Sequence, residues 1–145
     1  MTLLIDAVIF AAVAVALFTI VGYANAFLSG WLALARRYPD RTDIVPNARV
    51  SRQTIRFWPV NEYWNTTIGA DQRGLYLHVG DFGHRPLCIP WHAVEPRGPV
   101  KPWFFRTWES YLLGSRKLIG FPANSRGARL VADAIERYAV EVRHP

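Results

Sequence analysis

The stretch AVIFAAVAVALFTIVGYANAFLSGWLALA, residues 7–35, has no charged residue in 29 consecutive positions. A helix needs roughly 20 apolar residues to cross a hydrocarbon layer of about 30 Å. Polar residues inside the run are few, namely Thr19, Asn25 and Ser29, and they form no continuous polar face of the kind a surface helix of a soluble protein presents. The stretch therefore predicts a transmembrane helix, with the hydrocarbon ending near Tyr23.

A cleavable signal peptide is the rival interpretation of the same stretch. Residues 23–26, Tyr-Ala-Asn-Ala, weakly resemble a cleavage site. A signal peptide begins with basic residues and has a short apolar core. This chain begins MTLLID, with no Lys or Arg, and its apolar run is longer than such a core. We therefore expect a retained anchor.

Charge predicts the orientation of this anchor. The chain has 17 Lys and Arg against 11 Asp and Glu, and every basic residue lies from Arg36 onward. Positively charged flanks stay in the cytoplasm, so we expect the N-terminus outside and the C-terminal domain inside. The lone Cys88 suits a reducing compartment. An excess of Arg over Lys is typical of a GC-rich bacterial genome, so the expected location is the bacterial inner membrane.

The chain divides into three regions. We predict a transmembrane and interfacial helix over residues 1–38, a polar linker over 39–48 and a soluble domain over 49–145. Aromatic residues favour the membrane interface, and basic residues are attracted to anionic lipid headgroups. The predicted membrane-surface residues are Trp31, Arg36, Arg37, Tyr38, Arg41 and Arg52.

A stripe of small residues lies within the predicted helix. Gly22, Ala26 and Gly30 recur every four positions. Such a stripe lets a second helix approach closely, which predicts a contact with a partner helix. The alternative is that Gly and Ala are simply common in membrane helices.

The soluble region has the pattern of short β-strands punctuated by Gly, Pro and Asp. Residues 95–102, EPRGPVKP, are predicted to form a loop because they hold three prolines and a glycine. The last segment changes to a helical period near residues 124–142, with Asn124 or Ser125 as cap. The predicted strand segments are 50–60, 62–70, 74–80, 86–91, 103–110 and a hairpin over 111–122 broken at Gly114-Ser115.

Three short stretches resemble those of small uncharacterised bacterial membrane proteins with one span. They are Trp31 to Pro39 (WLALARRYP), Gly74 to Leu77 (GLYL) and Ile89 to Trp91 (IPW). The strand order is similar to that of the pleckstrin-homology superfold, including GRAM-like domains. This resemblance implies an α+β domain in which six or seven antiparallel strands form a barrel closed by a C-terminal helix. It implies a docking platform and no particular activity.

The segment GLYLHVGDFGHRPLCIPWHAV, residues 74–94, holds three of the four histidines and the only cysteine. His78, His84 and His92 are spaced by six and eight residues, unlike the tight pairs of metal sites. We expect structural or surface histidines, no metal, no cofactor and no catalytic residue. An enzyme using Cys88 as nucleophile with a histidine is the remaining alternative.

These features predict a non-catalytic, membrane-anchored interaction protein, an accessory or assembly subunit of a larger inner-membrane complex. Tryptophans at positions 58, 64, 91, 103 and 108 exceed what so small a core needs, and aromatics favour interfaces. The expected partners are an integral membrane protein complex and anionic phospholipids, and no nucleic acid, since a base-reading motif is missing. The alternative function is a module that binds anionic lipids at the membrane surface.

Overall fold

The computed structural model describes residues 2–42, 44–59, 61–80, 84–101 and 106–139. Helix α1 spans Thr2–Leu28 and is roughly 40 Å long at about 1.5 Å per residue. Its segment Leu4–Leu28 is long and apolar enough to cross a membrane. Residues 4–25 of this helix are all exposed or partly exposed. The predicted apolar helix is thus confirmed.

The helix expected over residues 1–38 is broken in two. Helix α1 ends at Leu28, and a second helix, α2, spans Trp31–Arg37. Between them Gly30 has a φ of 78°, in the left-handed region. Glycine adopts this conformation without steric cost because it lacks a Cβ, and it commonly ends a helix in this way. The turn directs α2 onto the soluble domain.

Within the described residues, seven strands form one antiparallel sheet: β1 Ala48–Phe57, β2 Asn61–Asp71, β3 Gly74–Val79, β4 Leu87–Ile89, β5 Val94–Val100, β6 Trp108–Leu113 and β7 Lys117–Pro122. Their spatial order is β4-β3-β2-β1-β7-β6-β5. The predicted segments for β1 to β4 are confirmed, as is the hairpin that turns at Gly114. The separate strand predicted over 103–110 is not found among its described residues, because 106 and 107 lie outside any strand and 108–110 begin β6. Residues 103–105 lie outside the described residues.

The prediction of a loop over residues 95–102 is wrong, because β5 occupies most of that segment. Pro96 pairs with Tyr111 and Pro99 pairs with Glu109 across β6. Proline has no N–H to donate, so it is tolerated in a strand at the edge of a sheet, and β5 is such an edge. Gly98, with a φ of 84°, lies where the pairing register between β5 and β6 shifts.

The sheet is curved but open. β4 and β5 lie at opposite ends of the strand order, although only a 3₁₀ turn, Trp91–Ala93, and Pro90 separate them in sequence. A connection this short reaches the opposite edge only when the sheet bends strongly upon itself. Closure into a barrel was predicted, and within the described residues it is not found.

The C-terminal helix is capped and packed as its pattern predicts. Helix α3 spans Arg126–Ala134, and the Ser125 side chain accepts a hydrogen bond from the Ala128 N–H at 3.0 Å. The Gly127 N–H donates to the Gln53 Oε1 at 3.2 Å, which ties the first turn of α3 to β1. The buried face of α3 covers β1, β2 and β7.

A π-helical turn, Ile135–Ala139, follows α3. Its Tyr138 ring stacks on Trp91, with ring centroids 6.1 Å apart. The Trp91 Nε1 donates to the Asp71 carbonyl at 2.8 Å. The π-helical turn is therefore held against the 3₁₀ turn that joins β4 to β5.

The beginning of the predicted linker pairs with the sheet. The Cys88 N–H donates to the Tyr38 carbonyl at 3.1 Å, and the Asp40 N–H donates to the Pro86 carbonyl at 3.3 Å. Pro39 forms an isolated antiparallel bridge with Leu87. Residues 38–40 therefore cover the outer edge of β4.

Arg73 fixes the next part of the linker. Its guanidinium lies 2.6 Å from the Asp71 carboxylate, donates to the Ile44 carbonyl at 2.8 Å and contacts the Thr42 hydroxyl. The hydrogen bond to Asp71 raises the pKa of Arg73. The linker is therefore bound along the turn between β2 and β3.

Candidate functional site

Four rings pack together where the helices meet the sheet. We call Trp31, Phe57, Tyr63 and His84 the aromatic junction. The Trp31 side chain is 0% exposed, and its ring centroid lies 5.4 Å from Phe57, 5.9 Å from Tyr63 and 5.2 Å from His84. The Trp31 Nε1 donates to the Arg85 carbonyl at 3.0 Å. Helix α2 is thereby fixed to β1, β2 and the segment before β4.

Hydrogen bonds connect the same junction to the end of α1. The Tyr63 hydroxyl lies 2.8 Å from the Ser29 Oγ and 3.2 Å from the Asn25 carbonyl oxygen. Ser29 is 1% exposed and Ala26 is 0% exposed. A buried polar group that forms its hydrogen bonds resists rearrangement, because breaking one costs the full desolvation of that group. The end of α1 is therefore part of the soluble domain's core.

This burial corrects the prediction for Trp31. The sequence placed Trp31 at a lipid interface, where an aromatic ring keeps one polar edge in contact with water. Instead its indole N–H is used inside the chain, and no part of the side chain is accessible. Trp31 is a core residue of the junction.

The small-residue stripe is also divided between different surroundings. Ala26 is buried against the domain, and Gly30 forms the break between α1 and α2. A Cβ at Gly30 would meet the Lys117 side chain at 3.4 Å. Only Gly22 lies on the accessible part of α1, where it is partly exposed. The three residues therefore do not form one accessible stripe, because Ala26 is buried and Gly30 lies outside α1.

A groove of about 910 Å³ lies beside the aromatic junction. We call it the junction groove. Its lining comes from α1 and α2, from Pro39 and from the segment before β4. No acidic residue is among the described residues that line it. The lining residues are Tyr23, Leu32, Ala35, Arg36, Pro39, His84, Arg85 and Pro86.

The predicted membrane-surface residues lie in different places. Arg36 lines the junction groove. Arg37 donates to the Gly114 carbonyl at 3.4 Å and lies over the ring of Tyr38, 5.3 Å from its centroid. Tyr38 is half-buried, and Arg41 is exposed.

Arg52 lies in a separate groove of about 630 Å³ near the start of α3, together with Arg106. The structure therefore brings together Arg36 and Arg85, and it places Arg52 elsewhere.

The histidines and the cysteine of residues 74–94 occupy separate positions. His84 belongs to the aromatic junction, His78 lies on β3 opposite Thr67, and His92 is exposed in the 3₁₀ turn. Burial raises the pKa of the half-buried Cys88 thiol, which disfavours the nucleophilic thiolate at neutral pH. Among the residues that the structure describes, no three His, Cys, Asp or Glu side chains form a group that could hold a metal.

The tryptophans are not mainly surface residues. Trp91 and Trp108 are 4% and 3% exposed, and Trp58 is partly buried. Trp64 is 75% exposed. It follows Tyr63 on β2, and its Nε1 donates to Glu62 at 3.4 Å. The fifth tryptophan, at position 103, lies outside the described residues.

Sequence reasoning missed Ser29, Tyr63 and Arg85 as parts of the site. A Ser-Gly pair after a helical run is a signal for the end of a helix, and it was available at Ser29 and Gly30. Tyr63 and Arg85 carry no comparable local signal, because their roles depend on contacts distant in sequence.

No protein-family model, curated protein or solved structure matches the chain. The similarity of WLALARRYP, GLYL and IPW to stretches of small bacterial membrane proteins therefore remains a prediction, as does the pleckstrin-homology identity of the domain.

Proposed function

We propose that this chain is a non-catalytic, single-span protein of the bacterial inner membrane that serves as an accessory or assembly subunit of a larger membrane complex. Its N-terminus lies outside, and its β domain, of pleckstrin-homology-like architecture, lies in the cytoplasm. One observation carries the proposal: α1 is accessible along residues 4–25, whereas its end is built into the domain core. The helix and the domain are therefore joined by packing and hydrogen bonds at the end of α1 as well as by the chain itself.

This arrangement suits an interaction subunit. Helices in lipid associate by packing and by hydrogen bonds, which contribute only about 1–2 kcal/mol for each favourable contact. A domain held firmly at the end of the span adds a second contact surface without a second search by diffusion. The exposed Trp64, next to the junction residue Tyr63, is the aromatic best placed for such a contact.

Two further observations support the non-catalytic assignment and the retained anchor. The raised pKa of Cys88 makes its thiol a poor nucleophile at neutral pH. The buried Ala26 and the contact of Tyr63 with the Asn25 carbonyl make the end of α1 part of the fold. Cleavage at a signal-peptide site near residue 26 would remove α1, and with it the packing of Ala26 and the hydrogen bond from Tyr63 to Asn25.

Site-specific photo-crosslinking in bacterial membranes tests the proposal. A photoreactive amino acid would replace Phe18, which is 72% exposed on α1, or Trp64 on the domain. We expect a discrete protein adduct from each position. Arg129, exposed on α3, is the matched control and should give none.

A topology reporter fused after residue 145 completes this experiment, and it should be active only as a cytoplasmic reporter. If both probe positions gave adducts with lipid and none with a protein, the interaction role would be contradicted. Periplasmic activity of the reporter would contradict the orientation.

A further inference from the structure

We propose that the junction groove binds the headgroup and the upper acyl region of an anionic phospholipid from the membrane that α1 crosses. The inference rests on the membrane anchoring proposed above, but it assigns a ligand and a site that the interaction role does not require. The groove, the charges and the position along α1 each support it.

The groove joins an apolar surface to a basic one. Tyr23 belongs to the accessible part of α1, and Leu32 and Ala35 are the partly buried apolar residues of α2. Arg36, on α2, and Arg85, in the segment before β4, are exposed and line the same groove. A phospholipid is built in the same way, since its apolar acyl chains are joined to a negatively charged phosphate.

The two arginines are available to an anion. Among the described residues, neither Arg36 nor Arg85 takes part in an ion pair. Asp40, the neighbouring carboxylate in sequence, has a side chain only 4% exposed and lies 3.9 Å from Arg73. Guanidinium groups bind phosphate oxygens in a bidentate manner, so two of them in the lining of one groove favour a phosphate there.

The size and rigidity of the site also fit. A volume of about 910 Å³ lies within the range of about 300–1,000 Å³ found for pockets that take small organic ligands. The Arg85 carbonyl is fixed by Trp31, and α2 is fixed by the aromatic junction. The walls are therefore organised before a lipid enters, which reduces the entropic cost of binding.

Lipid retention by the purified full-length protein tests this inference. The protein would be reconstituted in phosphatidylcholine nanodiscs that contain a minor fraction of phosphatidylglycerol. Native mass spectrometry would then measure the ratio of the two lipids that remain bound. We expect enrichment of phosphatidylglycerol over its bulk fraction. The double variant Arg36→Gln with Arg85→Gln should lower that enrichment by about 25-fold, because each basic residue at such a surface contributes roughly fivefold.

The matched control is Arg126→Gln with Arg129→Gln, which removes the same charge from exposed positions on α3. It should retain the enrichment of the wild type. A second variant, Ala35→Phe, keeps the charge and fills the groove, and it should lower the enrichment as well.

Equal enrichment of phosphatidylglycerol by the wild type and by the Arg36→Gln, Arg85→Gln variant would overturn the inference. It would also be overturned if the control pair Arg126→Gln, Arg129→Gln lost as much enrichment as that variant. Because no partner protein is present, these outcomes do not depend on the interaction role. Failure of the protein to insert into the nanodisc would instead contradict the membrane anchoring proposed above.

Discussion

Residues 7–25 and 26–35 belong to one uncharged run, yet they have different surroundings. Along residues 7–25 the large apolar side chains are mostly more than half exposed, such as Phe10 at 76% and Phe18 at 72%. In the second part Phe27 and Leu28 are still 72% and 62% exposed, but Ala26 and Trp31 are fully buried, and Leu34 is 6% exposed. The absence of charge shows only that a segment avoids water. It does not distinguish a side chain that faces lipid from one that packs against protein.

The difference has its origin in Gly30 and the residues beside it. A continuous helix would carry Trp31 farther along the axis of α1. The left-handed turn brings α2 back, so that Trp31 reaches Phe57 and Tyr63. Hydrophobic length alone therefore overestimates the part of this run that stays accessible in the fold.

The largest expected effect comes from replacing one large side chain in each part. Trp31→Ala should lower the free energy of unfolding of the domain by about 3–5 kcal/mol, because it leaves a cavity in the junction. Phe18→Ala should leave that free energy nearly unchanged, since Phe18 is 72% exposed on α1. Equilibrium denaturation of the full-length protein in detergent, followed by tryptophan fluorescence and circular dichroism, measures both. Similar losses in the two variants would remove the distinction between the two parts.

A smaller effect should separate the two glycines of the stripe. Gly30→Ala should destabilise the protein by roughly 1–2 kcal/mol, because a side chain at a φ of 78° is strained. Gly22→Ala should be neutral or slightly stabilising, since alanine favours a helix interior. The same denaturation experiment compares them. Equal destabilisation by the two changes would mean that the break at Gly30 does not shape the junction.

The smallest effect concerns Lys117, whose side chain lies against Gly30. Burial lowers the pKa of Lys117 below its ordinary 10.5. Below the lowered pKa the lysine is charged in both the folded and the unfolded protein, and burial of that charge costs free energy only in the folded protein. As the pH rises toward 10.5, the folded state loses its proton first, so wild-type stability should increase. The advantage of Lys117→Met over the wild type should therefore shrink with rising pH.

Stability measured between neutral pH and pH 10.5 checks this prediction. Lys101→Met, at an exposed lysine, is the control. The same pH trend in both variants would show that the effect does not arise at the junction.

Local patterns in the sequence predict most of the fold. The apolar run, the alternating residues of β1 and the Ser125 cap are local signals, and each appears in the structure. The loop prediction for β5 failed because proline content excludes a central strand but permits an edge strand. Whether a strand lies at an edge is a property of the whole sheet.

The candidate site is less predictable for the same reason. Arg36 was predicted from its position after the span, but Arg85 contributes only because Trp31 binds the Arg85 carbonyl. Trp31 was placed in lipid because amphipathic aromatics favour that interface. Its burial depends on Phe57 and Tyr63, more than 25 residues away in sequence.

The pairing of residues 38–40 with β4 has a practical consequence for solubility. An uncovered strand edge presents free N–H and C=O groups that pair with other chains, which promotes aggregation. A soluble fragment that begins at residue 49, the domain boundary predicted from sequence, would expose the β4 edge and lack Trp31. A fragment that begins at Ser29 would retain both and is the better choice for solution studies. Residues 38–40 thus occupy backbone groups of β4 at which another chain would otherwise pair.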